Sequence, residues 1–174
     1  MKNKELEEAV KARVDILTYS SEVRGIILER VIVLENVINM FLANHFCHKQ
    51  NDRIIDMLEM VFSTTRITFD GKREIFMGVI QKYYTEFAQK NEGSKGNPGI
   101  NSRLQDIAKE RNIFAHHLLD TSADAVTMFN QTKTITFLKY NNSLVPEPYT
   151  LDDVDNLMTK VSVMSKLILG LTVL

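Results

Sequence analysis

The sequence is poor in residues that cross-link a fold and in residues that break helices. Cys47 is the single cysteine among 174 residues, so no disulfide can form within the chain. A zinc site would have to draw its ligands mainly from His and carboxylate side chains. Only seven glycines and three prolines are present, which favours long uninterrupted helices.

The chain also lacks an excess of charge of one sign. Its 21 basic and 22 acidic residues give a formal net charge of −1. Proteins that coat nucleic acids regardless of sequence usually have a clear basic excess, so this balance argues against such coating. It leaves room for a small basic groove.

Long hydrophobic runs are missing as well. The apolar stretches at residues 25–28 and 31–34 are interrupted by charges well short of a membrane span. The first eight residues are charged and contain no apolar signal-peptide core. We therefore expect a cytoplasmic protein with no membrane partner.

The residues that are present suit an ordinary globular core. Hydrophobic residues make up 44% of the chain and charged residues 25%, so we predict a single domain over residues 1–174. Apolar side chains recur at helical spacing through most of the sequence. The predicted fold class is mainly all-α, a helical bundle with a short β-hairpin inserted before the last helix.

The periodicity and the capping residues predict where the elements begin and end. A short helix is predicted over residues 4–20, with the apolar stripe Leu6, Val10, Val14 and Leu17, and a longer one from Ser20 or Ser21 to about Phe46. Later helices are predicted from Asn51, after a turn at 64–71, from Asn101 or Ser102 after a loop at 90–99, and from Thr150 to the C-terminus. Two strands, at 125–129 and 134–138, are predicted to form the hairpin.

One helical segment groups polar side chains with chemical potential. It reads Arg111-Asn112-Ile113-Phe114-Ala115-His116. Asn112 and His116 are four residues apart, about 40° around a helix, and can therefore share a face and hydrogen-bond. His exchanges protons near neutral pH, and Arg holds a permanent charge that matches phosphate oxygens. The pair suits cleavage of a phosphodiester without a metal or another cofactor.

The segment from Arg111 to His116 resembles the Arg-x4–6-His motif of HEPN-domain proteins, including the variant with Asn after the Arg. The resemblance implies a helical domain, and for many members a metal-independent endoribonuclease of toxin–antitoxin or defence systems. It further implies a homodimer in which paired motifs meet, RNA as substrate and a cognate antitoxin as partner. Arg111, His116 and Asn112 would be the catalytic residues.

A second resemblance overlaps the first. Residues 24–28, 62–67 and 111–116 together look like the mannitol operon repressor family. Those proteins are also helical, and this resemblance implies a non-catalytic regulatory protein that works through protein contacts. The sequence has no helix-turn-helix signature that would support direct reading of DNA.

Structural roles compete with each of these interpretations. Arg111 and His116 can instead belong to a buried polar network, with Glu29 or Glu35 as the partner of Arg111. His45 and His48 can form half of a metal site, although chance spacing explains them better, and His117 cannot join His116 on one metal. Lys72 and Arg73 are expected at a solvated surface, with a rim that contacts RNA phosphates as the alternative. Tyr83 and Tyr84 are expected in the core, with base stacking as the alternative. The apolar residues at 167–169, 171, 173 and 174 are expected either in the core or in a dimer seam.

Overall fold

The computed structural model describes residues 2–48, 50–64, 66–140 and 143–172. Helices make up most of these residues, and two small antiparallel sheets accompany them, so the predicted mainly all-α class is confirmed. Among the described residues, no helix combines the length and apolar character needed to cross a bilayer.

The first helix, α1, runs without a break over Lys2–Phe46. The boundary predicted near residue 20 is therefore wrong. Ser20 is buried, and the Ser21 hydroxyl donates to the Leu17 carbonyl at 2.9 Å, four residues back. A serine that bonds in this way is satisfied inside a helix and does not cap one.

The second helix, α2, covers Asn51–Met57 and continues as a π-helical turn over Leu58–Phe62. Helix α3 covers Phe69–Tyr83 and begins inside the segment predicted as a turn. Thr68 caps it, since its hydroxyl accepts from the Gly71 amide at 3.2 Å. The last part of the turn predicted at 64–71 is wrong, because Asp70 and Gly71 lie in the first turn of α3, where an acidic side chain complements the helix dipole.

A short helix, α4 over Thr85–Lys90, precedes the glycine-rich loop. The loop contains a minimal hairpin of β1, Gly93–Ser94, and β2, Asn97–Pro98. Gly93 has φ 97°, a conformation that favours glycine, and a side chain there would collide with the Gly99 backbone. Helix α5 then spans Ile100–His116.

The segment predicted as the first hairpin strand is a helix, α6, over Ala123–Thr132. The Ser122 hydroxyl accepts from the Ala125 amide at 3.4 Å and caps the helix. Ala125 and Phe129 are buried four residues apart, and the Phe129 ring lies 5.3 Å from that of Tyr19. The five residues 125–129, which are rich in Val, Thr and Phe, fit the period of a strand as well as that of a helix. Here the cap at Ser122 and the burial of one side favour the helix.

The hairpin before the last helix is present, and the predicted strand at 134–138 is one of its strands, but its pairing partner follows it in the chain and does not precede it. Strand β4, Ile135–Tyr140, pairs with β5, Leu144–Tyr149, and β3, Leu118–Leu119, adds to the other side of β4. Ile135 faces Tyr149 in the register. Pro146 and Pro148 lie in β5, an edge strand where a missing amide hydrogen is tolerated.

The last helix, α7, covers Leu151–Thr172 and starts at a reciprocal cap. The Thr150 hydroxyl accepts from the Asp153 amide at 3.2 Å, and the Thr150 amide donates to Asp153 Oδ2 at 2.9 Å. Ile168 and Leu171 are buried, whereas Leu169 is 46% exposed. Of the apolar set predicted as core or dimer seam, Ile168 and Leu171 are therefore core, whereas Val173 and Leu174 lie outside the described residues.

The described chain divides into two compact units. One comprises residues 1–29 and 110–158 and contains the hairpin, α6 and the motif at 111–116. The other comprises residues 30–109 and 159–174 and contains α2, α3 and α4. The single domain predicted over residues 1–174 stays a prediction.

Candidate functional site

The Arg111–His116 motif occupies the last turn and a half of α5, in the first unit. Ile113 and Phe114 are buried, whereas Asn112 and His116 are exposed and Arg111 is half-buried. Asn112 and His116 thus both reach solvent, and their spacing of four residues places them on the same side of the helix. The apolar pair fixes this segment to its unit and leaves the polar side chains at the surface.

Within the motif, the contact between side chains joins Arg111 and Asn112. Arg111 Nη1 donates to Asn112 Oδ1 at 3.1 Å. The predicted hydrogen bond between Asn112 and His116 is not formed. Because the amide oxygen of Asn112 accepts from the guanidinium, Asn112 orients Arg111 and not the imidazole.

The buried network considered as an alternative is absent from the described residues. The His116 ring has no hydrogen bond or ion pair in that part of the chain, and Arg111 bonds only to Asn112. Glu35, one of the two suggested partners of Arg111, pairs instead with Lys72 Nζ at 2.6 Å. The imidazole and most of the guanidinium donors therefore remain open to a ligand.

Arg24 on α1 holds the C-terminal end of the motif helix. Its Nη1 donates to the Phe114 carbonyl at 2.8 Å and its Nη2 to the His117 carbonyl at 2.7 Å. The guanidinium also lies 4.6 Å from the centre of the Phe137 ring, and burial lowers the pKa of Arg24 below its ordinary value. A permanent cation on the last carbonyls of a helix satisfies groups that have no partner within the helix.

The role of Arg24 was missed by sequence reasoning, although the residue belongs to one of the segments that resemble the mannitol operon repressor family. Its two carbonyl acceptors are 90 and 93 residues further along the chain. No local pattern connects segments so far apart. The one usable signal was the presence of both segments in the same family resemblance.

An aromatic cluster supports the motif helix from the sheet. The Phe114 ring lies 5.1 Å from Phe137 and 4.9 Å from Tyr149, both in edge-to-face arrangements. The Tyr149 hydroxyl donates to Glu110 Oε2 at 2.8 Å. Burial, followed by this bond and the neighbouring carboxylates, raises the pKa of Tyr149 well above its ordinary value.

Two side chains expected at a solvated surface are buried in the second unit. Lys72 is 3% exposed, and besides Glu35 its Nζ donates to the Phe62 carbonyl at 2.8 Å. Arg73 is 8% exposed and bonds to Asp70 Oδ1 and to Asn101 Oδ1. The expectation of solvated charge was wrong because each cation has its own acceptors, which makes burial tolerable.

The second histidine of the motif region, His117, is half-buried, and its Nδ1 is enclosed without a hydrogen-bond partner in the described part of the chain. His45 and His48 lie in the second unit, and among the described residues no three His, Cys, Asp or Glu side chains gather in a way that could hold a metal ion. The metal-independent chemistry expected from the sequence remains a prediction.

The chain matches no protein-family model, no curated protein and no solved structure. The resemblances to HEPN-domain proteins and to the mannitol operon repressor family therefore rest on the motif segments themselves.

Proposed function

We propose that the protein is a metal-independent endoribonuclease that acts as a homodimer, as a toxin or defence component with a cognate antitoxin as partner. The observation that carries this proposal is the exposed, unpaired ring of His116 on the same helix end as the half-buried guanidinium of Arg111. A proton-transfer group and a phosphate-binding cation thus occupy one fixed segment.

In this reaction the nucleophile belongs to the substrate. The 2′-hydroxyl oxygen of RNA attacks the adjacent phosphorus, the bond to the 5′-oxygen breaks, and a 2′,3′-cyclic phosphate forms. His116 takes the proton from the 2′-hydroxyl or gives one to the leaving 5′-oxygen, and a partner protomer's motif supplies the opposite step. Arg111, oriented by Asn112, neutralises the charge that builds on the phosphate oxygens.

An exposed apolar stripe on α1 supports the dimer. Leu6, Val10, Val14 and Leu17 are each about half exposed or more, and their spacing places them along one side of the helix. A stripe of this kind is costly in water and is commonly buried against a second copy in a two-fold dimer.

The test is cleavage of single-stranded RNA by matched variants. His116→Ala should lower the rate ~10²–10⁴-fold, because it removes the proton-transfer group. Arg111→Lys should be severely impaired, since lysine keeps the charge but loses the planar fork. Lys109→Ala, which removes an exposed cation from the same helix, should cut RNA like the parent.

Three further readouts identify the chemistry. Cleavage should persist in EDTA, the product should carry a 2′,3′-cyclic phosphate, and single-stranded DNA of the same sequence should survive because it has no 2′-hydroxyl. Equal cleavage by the parent and by His116→Ala would mean that the activity comes from a contaminant, and the nuclease proposal would then fail.

A second candidate function is a non-catalytic regulatory protein of the mannitol operon repressor type. It is favoured by Arg24, whose donors hold the end of the motif helix, so that two of the three segments of that resemblance, 24–28 and 111–116, contact each other within one unit. If RNA is never cut, and if a partner protein binds the parent but not an Arg24→Met variant that remains folded, this candidate replaces the first.

A further inference from the structure

Two sequence features that the proposed function leaves unused meet in the second unit. His45, Phe46 and His48 lie at the end of α1, and Tyr83 and Tyr84 lie at the end of α3. Together with Asn44 they line an open cavity of about 580 Å³. Neither the spacing of His45 and His48 nor that of Tyr83 and Tyr84 predicts that the two pairs lie side by side, because they are far apart in sequence.

The rings form a supported aromatic platform. The His45 ring lies 4.8 Å from that of Tyr83 and 5.1 Å from that of Phe46, and Phe41 stacks on it from the buried side at 6.4 Å. The Tyr84 hydroxyl is 3.4 Å from His45 Nδ1 and fixes the imidazole from a second direction. The rings are therefore held in place before any ligand arrives.

The outer rings of the platform are open to solvent. Tyr83 is 57% exposed and Phe46 is 47% exposed, although the sequence placed Tyr83 on a core stripe. Large flat rings held in this way offer faces on which another planar group can stack. A ring that is packed in the core cannot contact a ligand. The exposure of Tyr83 and Phe46 therefore leaves their ring faces available for binding.

The charges around the platform favour an anionic ligand. None of the described residues that line the cavity is acidic. The exposed Lys82 places its ammonium 4.9 Å from the centre of the Tyr83 ring, and His48 is exposed at the rim. A planar group that stacks on Tyr83 would displace the ammonium, which would then be free to meet a phosphate beside that group.

We infer that this platform binds an unpaired nucleobase of single-stranded RNA, with the base on Tyr83 and Phe46 and the flanking phosphates near Lys82 and His48. The choice of RNA rests on the proposed function, whereas the stacking itself does not depend on cleavage. Single-stranded RNA combines a flat base, which can stack on the exposed rings, with a phosphate, which the ammonium of Lys82 can bind.

The test measures binding in the His116→Ala background, so that no cleavage is required. The probe is a fluorescein-labelled hexamer of oligoadenylate, followed by fluorescence anisotropy. Tyr83→Leu should weaken binding ~5–150-fold, the range expected for the loss of one stacked base. Tyr83→Phe keeps the ring and should bind like the background protein. Tyr140→Leu removes a tyrosine that is 77% exposed in the other unit and is the matched control.

A tryptophan substitution supplies a direct signal. The chain has no tryptophan, so Tyr83→Trp introduces a single indole at the platform. Adenosine monophosphate should quench its fluorescence and ribose 5-phosphate should not, because the second compound has no base. A blunt RNA duplex of the same length should compete poorly, since its bases are already stacked.

The outcomes separate this inference from the nuclease proposal. Binding that depends on Tyr83, without cleavage by the parent, supports the platform and rejects the nuclease. Cleavage by the parent together with equal binding by Tyr83→Leu and its background overturns the platform. Quenching by ribose 5-phosphate, or no RNA binding together with a changed oligomeric state in Tyr83→Leu, overturns it as well.

Discussion

The hydrogen bond between Tyr149 and Glu110 anchors the segment just before the motif. Tyr149→Phe keeps the ring in its aromatic cluster and removes the hydroxyl that donates to Glu110 at 2.8 Å. We expect the free energy of unfolding to fall by about 1–2 kcal/mol, as for a hydrogen bond to a partly accessible carboxylate. Chemical denaturation at pH 8 measures this loss, and Tyr140→Phe, which removes an exposed phenol, should leave it unchanged.

The same bond gives a pH dependence with a definite sign. The pKa of Tyr149 is raised in the folded protein, so folding disfavours the phenolate. The stability from this group is complete below the unfolded pKa of about 10 and is lost as the pH rises above it. The difference in unfolding free energy between the parent and Tyr149→Phe should therefore shrink from pH 8 to pH 11. A difference that stays constant would show that the phenol does not titrate differently in the folded state.

The burial of Lys72 could not be predicted from its neighbours in sequence. Lys72 looks solvated in the charged run from Lys72 to Glu74, but it is buried because Glu35, 37 residues earlier, and the Phe62 carbonyl accept from its ammonium. A buried lysine is tolerated where it has such acceptors. The sequence carries the identity of the cation but not the location of its partners.

At the scale of an element, the end of α5 depends on a residue from α1. Arg24→Met keeps a long apolar stem and removes both donors that bind the Phe114 and His117 carbonyls. We expect a loss of about 2–4 kcal/mol in unfolding free energy, because two charge-assisted hydrogen bonds disappear and two carbonyls lose their partner. Arg13→Met removes an exposed arginine from the same helix and should have little effect.

This substitution also tests how the motif is positioned. If His116 cleaves RNA, Arg24→Met should lower cleavage under conditions where the variant remains folded, since the frayed helix end would no longer hold the imidazole. Full stability in Arg24→Met by thermal melting would contradict the assigned role of the guanidinium.

Helix α7 and the segment 125–129 show which secondary structure depends on neighbouring residues and which depends on distant contacts. The cap at Thr150 and the apolar period of α7 are neighbours in sequence, and that helix was predicted to begin where it does. The sequence of segment 125–129 predicts a strand, because β-branched and aromatic residues dominate it. Contact of Phe129 with Tyr19, more than a hundred residues earlier, gives the segment a buried helical side. Tertiary packing of this kind overrides local propensity.

At the scale of the whole molecule, the proposed dimer can be tested through the stripe on α1. Sedimentation at micromolar concentration should give a dimer for the parent and a monomer for Val10→Glu, which places a charge in the middle of the stripe. Lys11→Glu changes the charge of an exposed neighbour outside the stripe and should remain a dimer.

Activity measurements on the same proteins complete the test. If two motifs must meet, the monomeric Val10→Glu variant should also lose RNA cleavage. A monomer that retains full cleavage would reject the composite site and leave each motif to work alone.

The sequence by itself determined the helical class, the hairpin before the last helix and the placement of Arg111, Asn112 and His116 on one helix. Each of these follows from residues within a few positions of one another, through periodicity, capping and turn chemistry. Only the tertiary structure decided which hydrogen bond Arg111 makes, what holds the end of α5, and that His45 and Tyr83 share one surface. Such contacts depend on how distant segments pack, and no local pattern in the chain specifies that packing.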